Sequence, residues 1–263
     1  MISDHLPNIK GLILDMDGVL WRHNEPIGDL PAIFKAIQEQ GLKVILATNN
    51  GTKTVDEFFT KINGFGVTLA DWQIISAAQA TAIYLAEKYP NSCTVYAVGT
   101  PSLTKILEDA GLTVVSERSE KVQAVVVAMD TGLTYEKIKN AELLVRGGCE
   151  FIGTNPDVTY PSPEGLIPGA GTVIGAIEIA SGQKATIIGK PEPLLYQMAL
   201  RRLGLEPEET LGIGDRLETD IVGAQAAGIR SAFVLTGAST LEQAQQMTPP
   251  PDLIANNLSE LVY

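Results

Sequence analysis

Two carboxylates stand two residues apart in Leu12-Ile13-Leu14-Asp15-Met16-Asp17-Gly18-Val19-Leu20. The run 11–14 before them is apolar without helical period and reads as a buried strand. Gly18 lets the chain turn away behind them. Acids at the end of a buried strand repel one another and cost free energy to desolvate. Such a pattern suits a divalent cation, a nucleophile paired with a proton donor, or both. The carboxyl end of a strand in an α/β sheet is also where active sites form.

Three more clusters put chemistry-bearing residues at predicted strand ends. In Ala47-Thr48-Asn49-Asn50-Gly51, after Val44-Ile45-Leu46, a hydroxyl and two amides can donate to an anion. Taken alone, the same residues read as an N-capped helix start. In Ile187-Ile188-Gly189-Lys190-Pro191 a lysine follows a short strand, where its ammonium can hold a carboxylate and a phosphoryl oxygen together. A lone lysine there reads as a solvated surface group. In the segment 212–221, Asp215 ends the strand 210–213 and Asp220 opens a helix five residues on. Two acids so presented suit an oxygen-loving cation, and Asp220 reads equally as an N-cap.

Positioning these clusters requires a sheet. Strand-like runs (11–14, 43–47, 94–98, 124–128, 151–154, 210–213, 231–234) alternate with helix-like segments (29–40, 54–63, 77–89, 102–110, 135–147, 172–181, 193–203, 220–227). That alternation predicts a parallel sheet flanked by helices. The phosphate-friendly clusters lie in 15–51 and 189–220 and none falls in the middle. We therefore read a discontinuous core, 1–79 and 184–263, with a second α/β domain, 80–183, inserted into it. Segment 248–252 is a stiff proline-rich connection before a last short segment.

The chain has 263 residues, 45% of them hydrophobic, enough for a sizeable core. Its formal net charge of −12 argues against a nucleic-acid backbone or an anionic membrane as partner. A small anionic substrate remains compatible, because a metal and local donors can reverse the field within one pocket. Cys93 and Cys149 fit no metal spacing and read as reduced thiols. No apolar run reaches membrane-span length, and the N-terminus lacks the basic and apolar regions of a signal peptide. The expected location is cytoplasmic.

In order, the four clusters match the motifs D-x-D-G-[TV], T/S with N-N-G, G-K-P and G-D-x-x-x-T-D. The chain here resembles the haloacid dehalogenase-like (HAD) superfamily. It looks most like the subfamily of nitrophenyl phosphatases, NagD-like ribonucleotide monophosphatases and pyridoxal phosphate phosphatases. In that subfamily a large α/β cap is inserted between the second and third motifs. Asn155-Pro156-Asp157 and Pro168-Gly169-Ala170-Gly171 are also similar to that cap, and the resemblance covers essentially the whole chain.

The resemblance implies a Rossmann-like core with an inserted α/β cap, and a phosphatase of small phosphomonoesters. Asp15 would be the nucleophile that becomes an aspartyl-phosphate. Asp17 would protonate the leaving alcohol and then activate water. Mg²⁺ would be held by the Asp15 and Asp215 side chains and the Asp17 main-chain carbonyl. Thr48, with Asn49 and Asn50 beside it, would bind phosphoryl oxygens, and Lys190 would neutralise charge on Asp15 and the phosphate. Asp220 would orient Lys190 or a metal-bound water. The cap would cover the core site and choose the substrate, with Asn155, Asp157, Thr159 and Tyr160 as the specificity residues. Their loop reads equally as a plain turn built on Pro156, Pro161 and Pro163. The implied partner is a small phosphorylated metabolite, and the implied assembly a homodimer through the cap.

Trp21 and Arg22, just after the first motif, read either as substrate contacts or, for Trp21, as packing, and His23 as a loop residue. A dehalogenase on the same scaffold would have no use for Asp17 or a metal. A phosphotransferase or phosphomutase would differ only in what accepts the phosphoryl group. A non-catalytic phospholigand-binding protein would be expected to have lost Asp15, Asp17, Lys190 or Asp215, and all four are present.

Overall fold

The computed structural model describes residues 2–162 and 164–263, so Met1 and Pro163 lie outside the described residues. The chain forms two compact units. The larger holds the residues up to Thr48, Val55–Ile75 and Lys190–Tyr263; the smaller holds Asn49–Thr54 and Ser76–Gly189.

A six-stranded sheet runs through the larger unit. Its order is Leu253–Ala255, Arg230–Val234, Thr210–Gly214, Gly11–Leu14, Lys43–Thr48 and Ile74–Ser76. Gly11–Leu14 pairs in parallel with Thr210–Gly214 on one side and Lys43–Thr48 on the other. It is buried on both faces, as an unbroken apolar run requires. The chain thus winds outward in both directions from its first strand, which opens a crevice beyond that strand's carboxyl end. Helix Leu30–Glu39 follows from its sequence. Asp29 accepts from the Ala32 N–H, Pro31 sits in the first turn, and Leu30, Ile33, Ala36 and Ile37 form the buried stripe.

The smaller unit has its own parallel sheet, ordered Thr186–Ile187, Glu150–Gly153, Ala124–Val127, Thr94–Val98 and Thr113–Val115. Helices Tyr135–Arg146 and Ala170–Ser181 help close its core, in which Val125, Val127, Leu144, Val173 and Ile177 are buried. Both cysteines are free. Among the described residues no helix is long and apolar enough to cross a membrane.

Four features depart from the sequence reading. Segment 184–189, read with the core, belongs to the smaller unit, because Thr186–Ile187 pairs with Glu150–Gly153. Residues Asn49–Thr54 and 76–79, also read with the core, join that unit as well. The region read as a proline-built loop is an antiparallel hairpin, Thr159–Ser162 with Gly165–Pro168. The chain end adds an edge strand, Leu253–Ala255, and a short helix, Leu258–Val262.

One polar cluster ties helix to sheet in the smaller unit. Glu150 accepts from the Tyr84 hydroxyl at 3.0 Å, the Lys88 ammonium at 2.7 Å and the Tyr89 hydroxyl at 2.9 Å. Burial works to raise the Glu150 carboxyl, but these donors outweigh it and hold it below the usual glutamate range. A depressed carboxyl stabilises the fold above its unfolded titration range, and that stabilisation is lost as pH falls through the folded value. Glu150→Gln should lower the unfolding free energy by about 1 kcal/mol at neutral pH after solvent screening. In chemical denaturation the gap between variant and parent should close as pH drops below about 4.

Candidate active site

The strand Gly11–Leu14 continues its alternation past its last residue. The Asp15 N–H donates to the Ile213 carbonyl at 2.9 Å, Met16 turns fully into the core, and Asp15 and Asp17 are both left partly accessible. Gly18 then takes the left-handed conformation, with φ +90°. Thr48 ends the strand on one side, and Asp215 follows directly on the strand at the other.

Lys190 binds this layer together. Its side chain is only 2% exposed. Its ammonium donates to Asp15 Oδ1 at 2.6 Å and the Ala47 carbonyl at 3.0 Å, and lies 2.7 Å from Asp220 Oδ1. Burial alone would lower the lysine's pKa, but the charges of Asp15 and Asp220 outweigh it and hold Lys190 well above its usual range. Burial pushes the Asp15 carboxyl well up; the Lys190 charge opposes this, while Asp220 and Asp215 add to it. Asp215 is pushed up to about 6 by burial and by Asp220.

Asp220 also reaches back into the chain. Its Oδ2 accepts from the N–H groups of Asp215 at 3.2 Å and Arg216 at 3.1 Å. It sits inside the π-helical turn Leu217–Ile221, so it closes that turn from within rather than standing at a helix N-cap as one sequence reading had it. Asp215 is held by the loop after Arg230–Val234. Its Oδ2 accepts from the Ala238 N–H at 2.8 Å and its carbonyl from Ser239 N–H at 3.1 Å. Gly237 packs so closely that a Cβ there would lie 1.7 Å from Asp215 Oδ2. Asp15, Asp215 and Asp220 each bring one carboxylate oxygen within 4.8 Å of the others. Three carboxylates facing one ammonium form an oxygen-rich, net negative cluster able to hold a metal ion.

Residues 12–113 match the family described as haloacid dehalogenase-like hydrolase, and residues 187–261 a second described as HAD-hydrolase-like. A Staphylococcus saprophyticus protein named acid sugar phosphatase is 34% identical, covering 98% of each chain. The chain belongs to the haloacid dehalogenase-like hydrolases, on the phosphatase side of that family. Among solved structures, a 4-nitrophenylphosphatase from Thermotoga maritima superposes with a TM-score of 0.91 at 34% identity, covering 98% of this chain and 97% of that one. NagD from E. coli K-12 superposes with a TM-score of 0.87 at 30% identity, covering 96% and 98%.

In this HAD phosphatase, Asp15, Asp17, Thr48, Lys190, Asp215 and Asp220 all fall in the larger unit, with Asp15, Thr48 and Asp215 at the carboxyl ends of its central strands. Asn49, Asn50, Asn155, Asp157, Thr159 and Tyr160 fall in the smaller. Two parts of the site escape the sequence reading. The loop 236–239 is one, though its small residues after an apolar strand repeat the pattern of the other clusters. The second is Trp21, which is fully buried and also donates its indole N–H to Asp17 Oδ1 at 2.8 Å. The Lys61 ammonium lies 4.2 Å from the Trp21 ring centre. His23 is exposed in the turn of the small ribbon Trp21–Arg22 with Glu25–Pro26, and Arg22 donates to the Thr236 carbonyl.

Trp21→Phe keeps the packing ring and removes only the donor to Asp17. It should lower kcat for phosphomonoester hydrolysis by about tenfold, as loss of a hydrogen bond worth about 1.4 kcal/mol would, with little change in thermal midpoint. Unchanged kcat would show that Asp17 is held without the indole.

Proposed function

We propose that this protein is a Mg²⁺-dependent phosphatase of small phosphomonoesters that works through an aspartyl-phosphate on Asp15. The observation that carries this reading is the Asp15 carboxylate at the mouth of the sheet, gripped by the buried Lys190 ammonium. Asp15 attacks phosphorus, and the bond to the leaving alkoxide breaks as Asp17 gives it a proton. Asp17 Oδ1 is occupied by Trp21, so Oδ2 is the atom that carries that proton. The same oxygen then takes a proton from water, whose attack on phosphorus frees the Asp15 carboxylate and inorganic phosphate. Thr48 and the neighbouring amides receive the equatorial phosphoryl oxygens, and Lys190 balances their charge.

The Asp15 and Asp215 carboxylates and the Asp17 carbonyl are the groups that would hold Mg²⁺. Bound there, the ion offsets repulsion between an anionic nucleophile and an anionic substrate. The donor set fits, since it is all oxygen and the cluster carries more negative than positive charge.

We assign substrate choice to the smaller unit, with exposed Thr159 and half-buried Tyr160 as its readers. The relatives named acid sugar phosphatase make phosphorylated sugars the first class to test. We place the protein in the cytoplasm. We propose a homodimer through the smaller unit, where Tyr135 and Ile179 stand exposed on helices that pack together.

Inorganic phosphate release from 4-nitrophenyl phosphate and a panel of sugar phosphates tests the reading. Release should require Mg²⁺ and stop with excess chelator. Asp15→Asn should abolish it while the protein stays folded. Acid quenching of the parent in turnover should trap a chain heavier by one phosphoryl group. Release that survives the chelator, or the Asp15 variant, overturns the mechanism.

A further inference from the structure

The peptide chain crosses from the larger unit to the smaller at Thr48–Asn49 and returns at Gly189–Lys190. Both crossings lie one residue from a group of the candidate site. Within the smaller unit, a single loop, 154–157, grips Asn49 and Gly189. The Asn155 amide donates to the Asn49 carbonyl at 2.8 Å. The Asn49 side-chain amide donates to Asp157 Oδ2 at 3.2 Å. Gly189 N–H donates to the Thr154 carbonyl at 2.8 Å. A Cβ on Gly189 would lie 2.5 Å from that carbonyl and 2.6 Å from Asn49 Oδ1, so only glycine permits this approach.

The loop is itself held firmly. Asn155 Oδ1 accepts from the Asp157 N–H at 3.1 Å. The start of helix Ala170–Ser181 binds the next two carbonyls, with Gly171 N–H on Asp157 at 2.9 Å and the Thr172 hydroxyl on Val158 at 2.6 Å. Thr154, Asn155 and Asn49 are all buried, so these bonds are little weakened by competing water. Asn155 and Asp157 thus direct polar atoms at the backbone and side chain of Asn49.

We infer that Asn155 and Asp157 are positioning residues for phosphoryl transfer. They fix Asn49, and through one peptide Thr48, while the Thr154 carbonyl fixes Gly189 and through one peptide Lys190. The assignment rests on the proposed phosphatase reading and changes the part these two residues play in it: they set the geometry of the phosphoryl-binding groups and do not read the substrate's organic portion. Consecutive Cα atoms are held about 3.8 Å apart, so Asn49 constrains where the peptide that follows Thr48 can lie. Displacements of about 1 Å at such groups cost about a hundredfold in rate.

The test compares Asn155→Ala, Asp157→Ala and Asp157→Asn with the parent. Steady-state kinetics on 4-nitrophenyl phosphate and on a hexose phosphate is paired with calorimetric binding of orthovanadate, a mimic of the transferring phosphoryl group, in Mg²⁺. Thermal melts check folding. Asn155→Ala and Asp157→Ala should lose about tenfold to a hundredfold in kcat on both substrates alike and weaken orthovanadate by a similar factor, with KM little moved. Asp157→Asn keeps an acceptor for the Asn49 amide and should retain kcat within about threefold. A changed ranking of the two substrates with orthovanadate affinity intact would overturn the assignment and make the side chains readers of substrate. So would folded alanine variants with parental kcat. Orthovanadate binding decides the matter even if neither substrate is turned over. A parent that neither turns over nor binds orthovanadate overturns this inference and the functional reading together.

Discussion

Everything in the larger unit is arranged around one costly object, a lysine ammonium withdrawn from water. An uncompensated buried charge is among the most destabilising features a fold can hold. Lys190 is tolerated because Asp15, Asp220 and the Ala47 carbonyl surround it. Those partners come from three places in the sheet and the turn beside it, so satisfying one ammonium dictates which strand ends must lie side by side. Asp220 in turn needs its own fixing, supplied by two backbone N–H groups and by the Tyr196 hydroxyl, which donates to its carbonyl at 2.9 Å. Burial pushes that phenol upward, so it stays a donor.

The same arrangement explains how a strongly acidic chain can receive an anion. The net charge of −12 is a property of the whole surface. In the proposed mechanism a phosphoryl group at the sheet's mouth would meet the local field, which Lys190 and the strand-end amides make favourable at short range, where a low dielectric strengthens them and salt screens them little. In that mechanism the carboxylates there repel such a group unless a cation shares the cluster, so nucleophile and metal ligands would belong to one set of residues.

Much of this was readable from residue order. The strand 11–14 is found from end to end as its apolar run implies, and the alternation of Asp15, Met16 and Asp17 follows from period two. The four motif clusters converge because each ends a strand of one sheet, apart from Lys190, whose place depends on a contact 175 residues away. What sequence could not supply falls into two kinds. Short elements such as Ile74–Ser76 and Leu253–Ala255 are too brief to carry a period, and the hairpin 159–168 hides behind prolines that ordinarily mark loops. Side-chain choices are the other kind. Asp220 has the residue type and spacing of an N-cap, and only the turn's geometry shows it bonding backwards. Trp21 has the signature of packing, and nothing in its neighbours reveals that its N–H meets Asp17.

The grip of loop 154–157 on Asn49 and Gly189 also bears on how the chain folds. The Asp15–Lys190 contact must close a loop of 175 residues, and loop-closure entropy opposes it. Once the smaller unit has formed, Asn49 and Gly189 are already neighbours, and the long loop has become a short one. The lysine then has only a few free residues to search before it finds its carboxylate. During synthesis the insertion would act as a clasp, completed before the last strands of the larger sheet emerge. Asp15 therefore waits for its counter-charge until the chain has passed Lys190, so a truncated or still-growing chain carries the first two motifs without that ion pair.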